Sequence, residues 1–170
     1  MQSAARAGVP SQCGFADWAA PSLLAMTRLA RRLAPEADAD DVVQEALARA
    51  WRKRTQFDPD RGTATTWLLA ITADQARAAR RRKLRRRRLI DDMAHVPDRP
   101  ATQAAHDLDL ERAIVRLAAR QQLAVHLHYF LGLPIAEIAA VMGCASGTVK
   151  STLHDARARL RELLGEDDER

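Results

Sequence analysis

The chain has 170 residues and a mass of 18.8 kDa, which leaves room for two modest hydrophobic cores and excludes a large multi-layer enzyme. Hydrophobic residues make up 47% and charged residues 29% of the chain, a composition typical of folded proteins. No apolar run approaches the roughly 20 residues that cross a bilayer, and no signal-peptide pattern opens the chain. The sequence therefore predicts a cytoplasmic protein without membrane insertion.

Positive charge is concentrated in the first half of the chain. The net charge is +5 overall, but residues 1–88 carry +9, residues 89–108 carry −3 and residues 109–170 carry −1. Nine basic residues fall between Arg77 and Arg88, in the segment RAARRRKLRRRR. This density favours contact with a polyanion such as nucleic acid, and a solvated helix tail or a localisation patch is the alternative interpretation.

The first and third helices are predicted from apolar residues that recur at helical spacing. The first helix is expected to begin near Pro21 and to end at Pro35, because proline fits a first helical turn and stops a helix interior. After a turn at FDPDRGT, the third helix carries Trp67 and Leu68 toward a core and continues into the arginine-rich segment. Trp67 is therefore interpreted as a core residue at this point.

The second helix, from about residue 38 to residue 54, begins with an acidic cluster. Asp38 can cap the free amide groups of the first turn, and Asp40 and Asp41 complement the helix dipole there. One apolar stripe faces the core, formed by Val42, Val43, Ala46, Leu47, Ala50 and Trp51. From the residues alone, helix capping and the helix dipole are the explanation for these acids.

Residues 109–165 are predicted to form a second, smaller helical domain. Apolar spacing indicates a fourth and a fifth helix over residues 110–131. A helix follows from Pro134 and ends at Gly143 as a left-handed cap, and Ser146 is expected to cap the last helix. Two short helices joined by a glycine-containing turn form a helix-turn-helix, whose second helix enters a major groove.

The last helix turns a polar side toward solvent when Val149 points to the core. The side chains on that side can contact phosphate or base edges, and they are Thr148, Lys150, Ser151, His154, Arg157 and Arg161. Asp155 lies on the same side and suits only the amino group of a cytosine. Because helix-turn-helix proteins that bind only other proteins also occur, DNA binding and protein binding both stay open here.

No constellation of residues supports catalysis. His126 and His128 stand two positions apart on a predicted helix, so they point in different directions and are expected at the surface or its boundary. Cys13 and Cys144 lie far apart without a CxxC or HxxxH neighbour, which predicts two reduced thiols. The chain is therefore predicted not to be an enzyme and to bind no metal and no cofactor.

These elements predict an all-α protein of two small helical domains joined by a flexible linker, the second a helix-turn-helix domain of four-helix type. The predicted boundaries are an N-terminal tail over 1–14, a first domain over 15–88, an acidic, proline-containing linker over 89–108, a second domain over 109–165 and an acidic tail over 166–170.

Two motif blocks stand in a recognisable order. They are DADDVVQEALARAW with FDPDRGTATTWLLAI and the arginine-rich helix end, followed after a linker by IAEIAAVMGCASGTVKSTLHDARARL. Over roughly residues 15–164 the chain resembles the extracytoplasmic-function (ECF) sigma factors of the sigma-70 family. The resemblance implies a sigma-two and a sigma-four domain that bind core RNA polymerase and direct it to promoter DNA for transcription initiation. Because such factors usually have a cognate anti-sigma protein, the resemblance also implies an anti-sigma factor as a candidate partner.

The resemblance implies roles for three sets of residues. The polymerase-binding set is Asp40, Asp41, Gln44 and Glu45. The set that binds the minus-ten promoter element is Trp67, Asp74, Arg77, Arg80, Arg81, Arg82 and Lys83. The set that binds the minus-thirty-five element is Thr148, Lys150, Ser151, Thr152, His154, Arg157 and Arg161.

The chain departs from the family pattern at several positions. Ala73–Asp74 stands where the family commonly has Arg-Asn, and Thr152 and Asp155 replace frequent arginines, so the promoter sequence does not follow from relatives. Ala118–Ala119 replaces a frequent proline turn, which predicts a smoother join between the fourth and fifth helices.

A second hypothesis comes from a different functional class. The chain would then be a helix-turn-helix DNA-binding regulator that does not associate with polymerase and that uses its first domain for other protein contacts or for nonspecific nucleic-acid binding. A nucleic-acid enzyme is a third class, for which the sequence offers no catalytic constellation.

Overall fold

The computed structural model describes the backbone of residues 14–91 and 105–167, and the side chains of residues 14–87 and 109–165. Within those two backbone ranges the secondary structure consists of helices and turns, as the all-α prediction expects. The α-helices are α1 (Phe15–Ala19), α2 (Leu23–Leu33), α3 (Ala39–Lys53), α4 (Ala64–Asp91), α5 (Ala105–Arg116), α6 (Ala119–Val125), α7 (Ile135–Met142) and α8 (Ser146–Asp167).

The core of the first region lies between α2, α3 and α4. Met26 and Leu29 on α2 and Leu68 on α4 are fully buried there. Ala46 and Ala50 on α3 are also fully buried, and their small side chains let α3 and α4 approach closely. This packing fixes the outward side of α3 relative to α4.

Helical structure begins earlier than the sequence predicts, at Phe15 rather than near Pro21. Pro21 lies instead in a single 3₁₀ turn, Ala20–Ser22, that joins α1 to α2. The early start brings α1 onto an aromatic cluster whose ring centroids lie 5.2 to 6.0 Å apart, made of Phe15, Trp18, Trp51, Phe57 and Trp67. Aromatic packing therefore supplies a second core around the start of α4.

Side-chain caps set the starts of α3 and α4. The Asp38 carboxylate accepts a hydrogen bond from the Asp40 amide at 2.8 Å, which confirms Asp38 as the cap of α3. At α4 the Thr63 hydroxyl oxygen accepts from the Thr66 amide at 3.2 Å. Gly62 precedes this cap, and a Cβ there would come within 2.7 Å of the Thr66 hydroxyl oxygen, so the turn leaves no room for a side chain.

The second region packs α5, α6, α7 and α8 around a small apolar core. Its fully buried members include Leu123, Leu127, Ile138, Val149 and Leu153. Burial of Val149 and Leu153 confirms the predicted register of the last helix.

The predicted smooth join between the fourth and fifth helices is wrong. α5 ends at Arg116 and α6 begins at Ala119, because Ala118 is extended, with φ −59° and ψ 145°. The side-chain amide of Gln122 donates to the carbonyl oxygens of Val115 and Leu117 at 2.7 and 2.8 Å. These bonds satisfy acceptors that a helix end leaves free, and so the break is stable without a proline.

Two further details of the second region differ from the prediction. The predicted fifth helix changes at His126–Phe130 into a π-helical turn, closed by a bond from the Leu131 amide to the His126 carbonyl oxygen at 3.1 Å. α8 begins at Ser146, so Ala145 rather than Ser146 occupies the capping position. Gly143 has φ 60° and ψ 41°, which confirms the left-handed cap of α7.

Both helices that flank the predicted linker extend into it. α4 continues to Asp91 and α5 begins at Ala105. Residues 1–13 of the predicted tail, which include Cys13, lie outside the described residues, as do the centre of the predicted linker and the last residues of the acidic tail.

The two regions pack against each other. α4 contacts α7, and the π-helical turn contacts α2. Arg80 on α4 donates a hydrogen bond to the side-chain oxygen of Gln122 on α6 at 2.9 Å. In the part of the chain that the structure describes, no helix combines the length and the apolar character needed to span a membrane.

Candidate nucleic-acid and protein interfaces

The predicted polymerase-binding residues lie together on α3. All four are exposed on the side opposite the buried Val43 and Ala46, and they are Asp40, Asp41, Gln44 and Glu45. Positions three and four apart on a helix are neighbours on its surface, so these side chains make one surface, called here the acidic face.

The acidic face also borders the start of the arginine-rich segment. The Glu45 carboxylate accepts from Arg82 at 3.1 Å across the groove between α3 and α4. A cleft of about 380 Å³ continues this groove, with Asp38 and Asp41 on one wall and Lys83 on the other. Two sites predicted separately from the sequence are therefore neighbours in one electrostatic unit.

The arginine-rich segment, residues 77–88, divides into paired and unpaired side chains. Four arginines have a partner: Arg77 with Asp74, Arg80 with Gln122, Arg82 with Glu45 and Arg87 with Glu36. Four exposed basic residues make no ion pair with any side chain that the structure describes: Arg81, Lys83, Arg85 and Arg86. The unpaired set carries the charge available to a polyanion.

The promoter-facing side of α4, as the resemblance assigns it, lies against the helix-turn-helix. Trp67 is half-buried in the aromatic cluster and lines a cleft of about 780 Å³, whose other wall is the turn Gly143–Ala145. Asp74 and Arg77 line the adjoining cleft with Arg120 of α6. Trp67 therefore belongs to a core cluster and to an interdomain cleft at once.

The predicted minus-thirty-five residues lie along α8. Thr148, Lys150, Ser151, His154, Arg157 and Arg161 are exposed, as the helical wheel predicts. Thr152 is half-buried, and its hydroxyl donates to the Thr148 carbonyl oxygen at 2.7 Å. Thr152 is thus the least available member of this set.

The contact between the two regions centres on Arg32 of α2. Its guanidinium lies 3.9 Å from the centroid of the Phe130 ring and pairs with Glu111 of α5. Arg32 also lies beside His126, which is 3% exposed, so the prediction that His126 is a surface or boundary residue is wrong. The π-helical turn directs this ring inward, with its centroid 5.4 Å from that of Phe130.

His126 is held in its neutral form. Burial and the nearby Arg32 guanidinium lower its pKa from 6.5 to about 4, while the Glu111 carboxylate opposes that shift. Its Nδ1 atom is buried and has no hydrogen-bond partner within the described residues. A proton on this ring would add a charge beside Arg32.

Comparison with known proteins identifies the two regions. Residues 23–88 match the family model of Sigma-70 region 2, and residues 107–160 match that of Sigma-70, region 4. The chain is 35% identical to the RNA polymerase sigma-E factor of Streptomyces coelicolor over 147 residues, which cover 82% of this chain and 80% of that protein. The chain belongs to the ECF sigma factors.

Two further likenesses describe how this ECF sigma factor compares with its family. It is 37% identical to the ECF sigma factor SigM of Mycobacterium tuberculosis over 129 residues, which cover 75% of this chain and 65% of that relative. Its fold matches the sigma factor RpoE of Bartonella quintana, crystallised with the anti-sigma factor NepR, with a TM-score of 0.64 and 32% identity. That match covers 89% of this chain and 96% of the other.

Within this ECF sigma factor, the acidic face and the arginine-rich segment lie in region 2, and α7 and α8 lie in region 4. Sequence reasoning missed the residues that join the regions, chiefly Arg32, Gln122 and Phe130. Arg80 and Gln122 are 42 positions apart, and no local pattern marks such a pair. Among the described residues, no group of three or more His, Cys, Asp or Glu is placed to hold a metal ion.

Proposed function

We propose that this chain binds core RNA polymerase and directs it to promoter DNA, so that transcription starts at a selected set of sites. One observation carries the proposal: a single chain of the ECF sigma family presents an exposed acidic face, an exposed basic segment and a helix-turn-helix. The acidic face suits docking to polymerase, the basic segment suits holding the melted strand, and the helix-turn-helix suits reading the upstream duplex.

The acidic face is the proposed docking surface. Its side chains are exposed, and they lie on a helix whose position is fixed by the buried alanines on its other side. Complementary charge across an interface steers association and fixes register. Because Glu45 is already paired with Arg82, Asp40 and Asp41 are the carboxylates that a basic partner surface meets first.

The unpaired basic side chains of region 2 are the proposed contacts to the melted minus-ten strand. Single strands are held by positive grooves that follow the backbone, together with aromatic rings on which bases stack. Trp67 is the aromatic residue proposed to stack on a base, because it lines the cleft beside α4. Region 4 reads the minus-thirty-five duplex by inserting α8 in the major groove.

Promoter binding by both regions requires that they move apart. The minus-ten and minus-thirty-five elements are separated by about 25 base pairs, or about 85 Å of duplex at 3.4 Å per pair. In the structure, α7 lies against α4, and Arg80 contacts Gln122 at 2.9 Å. The arrangement described here is therefore a closed form, and the promoter-bound form is open.

The proposal places the protein in the cytoplasm, as a factor without catalytic activity of its own. Its partners are core RNA polymerase and promoter DNA, and an anti-sigma factor is a further partner because the RpoE match was crystallised with one. A DNA-binding regulator that never joins polymerase is the less supported reading, since the matched relatives are named as sigma factors along most of this chain.

Co-migration with core polymerase on size exclusion tests the proposal. The unchanged chain should co-migrate with the enzyme, and start sites mapped in vitro should share upstream elements. Asp41→Arg should abolish co-migration, because juxtaposed like charges cost about several kcal/mol at an interface. Asp17→Arg is the matched control, since Asp17 is an exposed acid on α1, outside the acidic face. Equal loss in both variants, or none in either, would contradict docking through α3.

A further inference from the structure

The exposed side of α8 is divided by charge. Along one flank lie basic side chains, Lys150, His154, Arg157 and Arg161. Along the other lie Thr148, Asp155 and Glu162, with hydroxyl or acidic groups, and Arg159, which pairs with Glu162. At about 100° per residue the two flanks lie on either side of Ser151 and Ala158, whose small side chains let the helix approach a groove floor closely. A helix divided in this way presents basic side chains to one side of a groove and hydroxyl and acidic side chains to the other.

Asp155 is exposed and has no partner within the described residues. The basic residue one turn further along, Arg159, pairs with Glu162 at 2.9 Å rather than with Asp155. The Ser151 hydroxyl donates to the Thr148 carbonyl oxygen at 3.0 Å, so it does not reach Asp155 either. The carboxylate is therefore free to accept hydrogen bonds from a ligand of region 4.

A free carboxylate in a major groove needs a donor on the DNA. Phosphates repel a carboxylate. At the edge of the major groove guanine presents the acceptors O6 and N7, and thymine presents the acceptor O4. Adenine offers its N6 amino group as a donor, but the N7 acceptor beside it repels the second oxygen of the carboxylate. The N4 amino group of cytosine is the donor that a carboxylate matches best.

We propose that Asp155 is a specificity-determining residue of region 4, whose carboxylate accepts a hydrogen bond from the N4 amino group of a cytosine in the upstream promoter element. The inference rests on the proposed function, because it assumes that α8 reads that element. The basic flank binds the phosphates of one strand, which sets the depth of the helix, and the opposite flank then meets base edges. Asp155 supplies sequence preference there and adds nothing to nonspecific affinity.

Selection of upstream elements tests the proposal with the full chain and core RNA polymerase. A promoter library randomised over the upstream element is transcribed, and the templates that yield transcripts are sequenced. The unchanged chain should favour cytosine at one position by about tenfold. Asp155→Asn should move that position toward adenine, because an asparagine side chain pairs with adenine N6 and N7. Other positions should keep their preference.

Glu162→Gln is the matched control, since it removes the same charge from the same flank two turns away, where Arg159 already pairs with it. It should leave the selected sequence unchanged. The proposal is overturned if the unchanged chain selects no cytosine, if Asp155→Asn keeps the same cytosine, or if that variant only raises affinity equally for all sequences. Failure of the unchanged chain to yield any selected transcript would instead overturn the proposed function, and the inference with it.

Discussion

Regions 2 and 4 use charge in opposite ways. Residues 1–88 carry a net charge of +9, with nine basic residues in the twelve positions 77–88, whereas residues 109–170 carry −1. Four basic side chains of region 2 are exposed and unpaired within the described residues, while α8 sets a basic flank against a flank that holds acids. Under the proposed function, this difference separates sequence-independent attraction of the melted strand, by region 2, from selective reading of the duplex, by region 4.

This division follows from what each nucleic-acid form offers. A melted strand exposes its phosphate backbone and unstacked bases, so density of positive charge and aromatic surface matters most. An intact duplex offers distinct donors and acceptors in its major groove, and excess charge there would add affinity for every sequence alike. Under the proposed function, a nearly neutral region 4 beside a basic region 2 is expected to raise the ratio of specific to nonspecific binding.

The largest expected effect is on the unfolding free energy, and it distinguishes the core of region 4 from the core of region 2. Leu153 is 2% exposed in region 4, and Leu153→Ala should cost about 2 to 5 kcal/mol of unfolding free energy because a buried leucine leaves a cavity. All three tryptophans, Trp18, Trp51 and Trp67, lie in the first helical domain, in or directly before region 2, so tryptophan fluorescence reports that part of the chain. Urea should melt part of the circular dichroism of this variant early, with the fluorescence transition unmoved.

Lys150→Ala is the matched control for Leu153→Ala, since Lys150 is exposed on the same helix and should leave both transitions in place. A fluorescence transition that moves together with circular dichroism in Leu153→Ala would show that the two regions unfold as one unit. Unfolding by Lys150→Ala with a silent Leu153→Ala would contradict the register of α8.

A second comparison tests which arginines hold nucleic acid. The unpaired set is Arg81, Lys83, Arg85 and Arg86. Changing all four to Gln should make the slope of log association constant against log salt concentration shallower by about 3, since each phosphate contact releases close to one counterion. Between 50 and 200 mM salt, a slope of that size corresponds to about 60-fold in affinity. Titration of the polymerase complex with promoter DNA at several salt concentrations measures it.

The paired arginines provide the control for the salt experiment. Changing Arg77, Arg82 and Arg87 to Gln removes three like charges, yet each is already paired with a carboxylate of its own region. For each charge removed, their loss should lower the slope less than loss of the unpaired set. Equal slope changes per charge for the two sets would show that the pairings seen here do not persist on DNA.

The sequence predicted most helices and the register of α8, because apolar spacing and caps are local signals. The Asp38 cap, the Gly143 cap and the burial of Leu153 are all confirmed. The break at Ala118 was not predicted, since the side chain that stabilises it, Gln122, acts on carbonyl groups five and seven residues back. Spacing of apolar residues carries no information on such a bond.

The sequence predicted the exposure of the candidate site residues better than their contacts with other parts of the chain. The acidic face forms as expected, but its pairing with Arg82 spans 37 positions. Burial of His126 depends on Arg32, a residue of the other region, and on a π-helical turn that shifts the ring inward. Contacts between regions depend on tertiary packing, which local periodicity does not encode.

The third prediction concerns acid, and it should affect region 4 more than region 2. The pKa of His126 is about 4 in the fold against 6.5 ordinarily, so the unfolded chain binds more protons between these values. Stability is therefore complete above pH 6.5 and is lost as pH falls toward 4, by about 2 kcal/mol at pH 5. Urea unfolding followed by circular dichroism at pH 7 and pH 5 measures this loss.

His126→Gln should remove that part of the pH dependence, because the amide does not titrate. His128→Gln is its control, since His128 lies two positions away in the same turn. A pH dependence that persists in His126→Gln and vanishes in His128→Gln would contradict the assignment to His126.

The smallest expected effect concerns the join between the two regions. Arg32 and Glu111 are partly exposed, so their ion pair contributes at most about 1 kcal/mol, and the contact of Arg32 with Phe130 adds about 0.5 to 1 kcal/mol. Arg32→Ala should loosen the closed form and raise the radius of gyration measured by small-angle X-ray scattering. Since the proposed promoter binding needs the open form, Arg32→Ala should also strengthen the promoter complex by about fivefold. Glu111→Arg combined with Arg32→Glu restores the ion pair but not the contact with Phe130, so the double variant should lie between the unchanged chain and Arg32→Ala. An unchanged radius in Arg32→Ala, with weaker promoter binding, would show that this contact supports the open form instead.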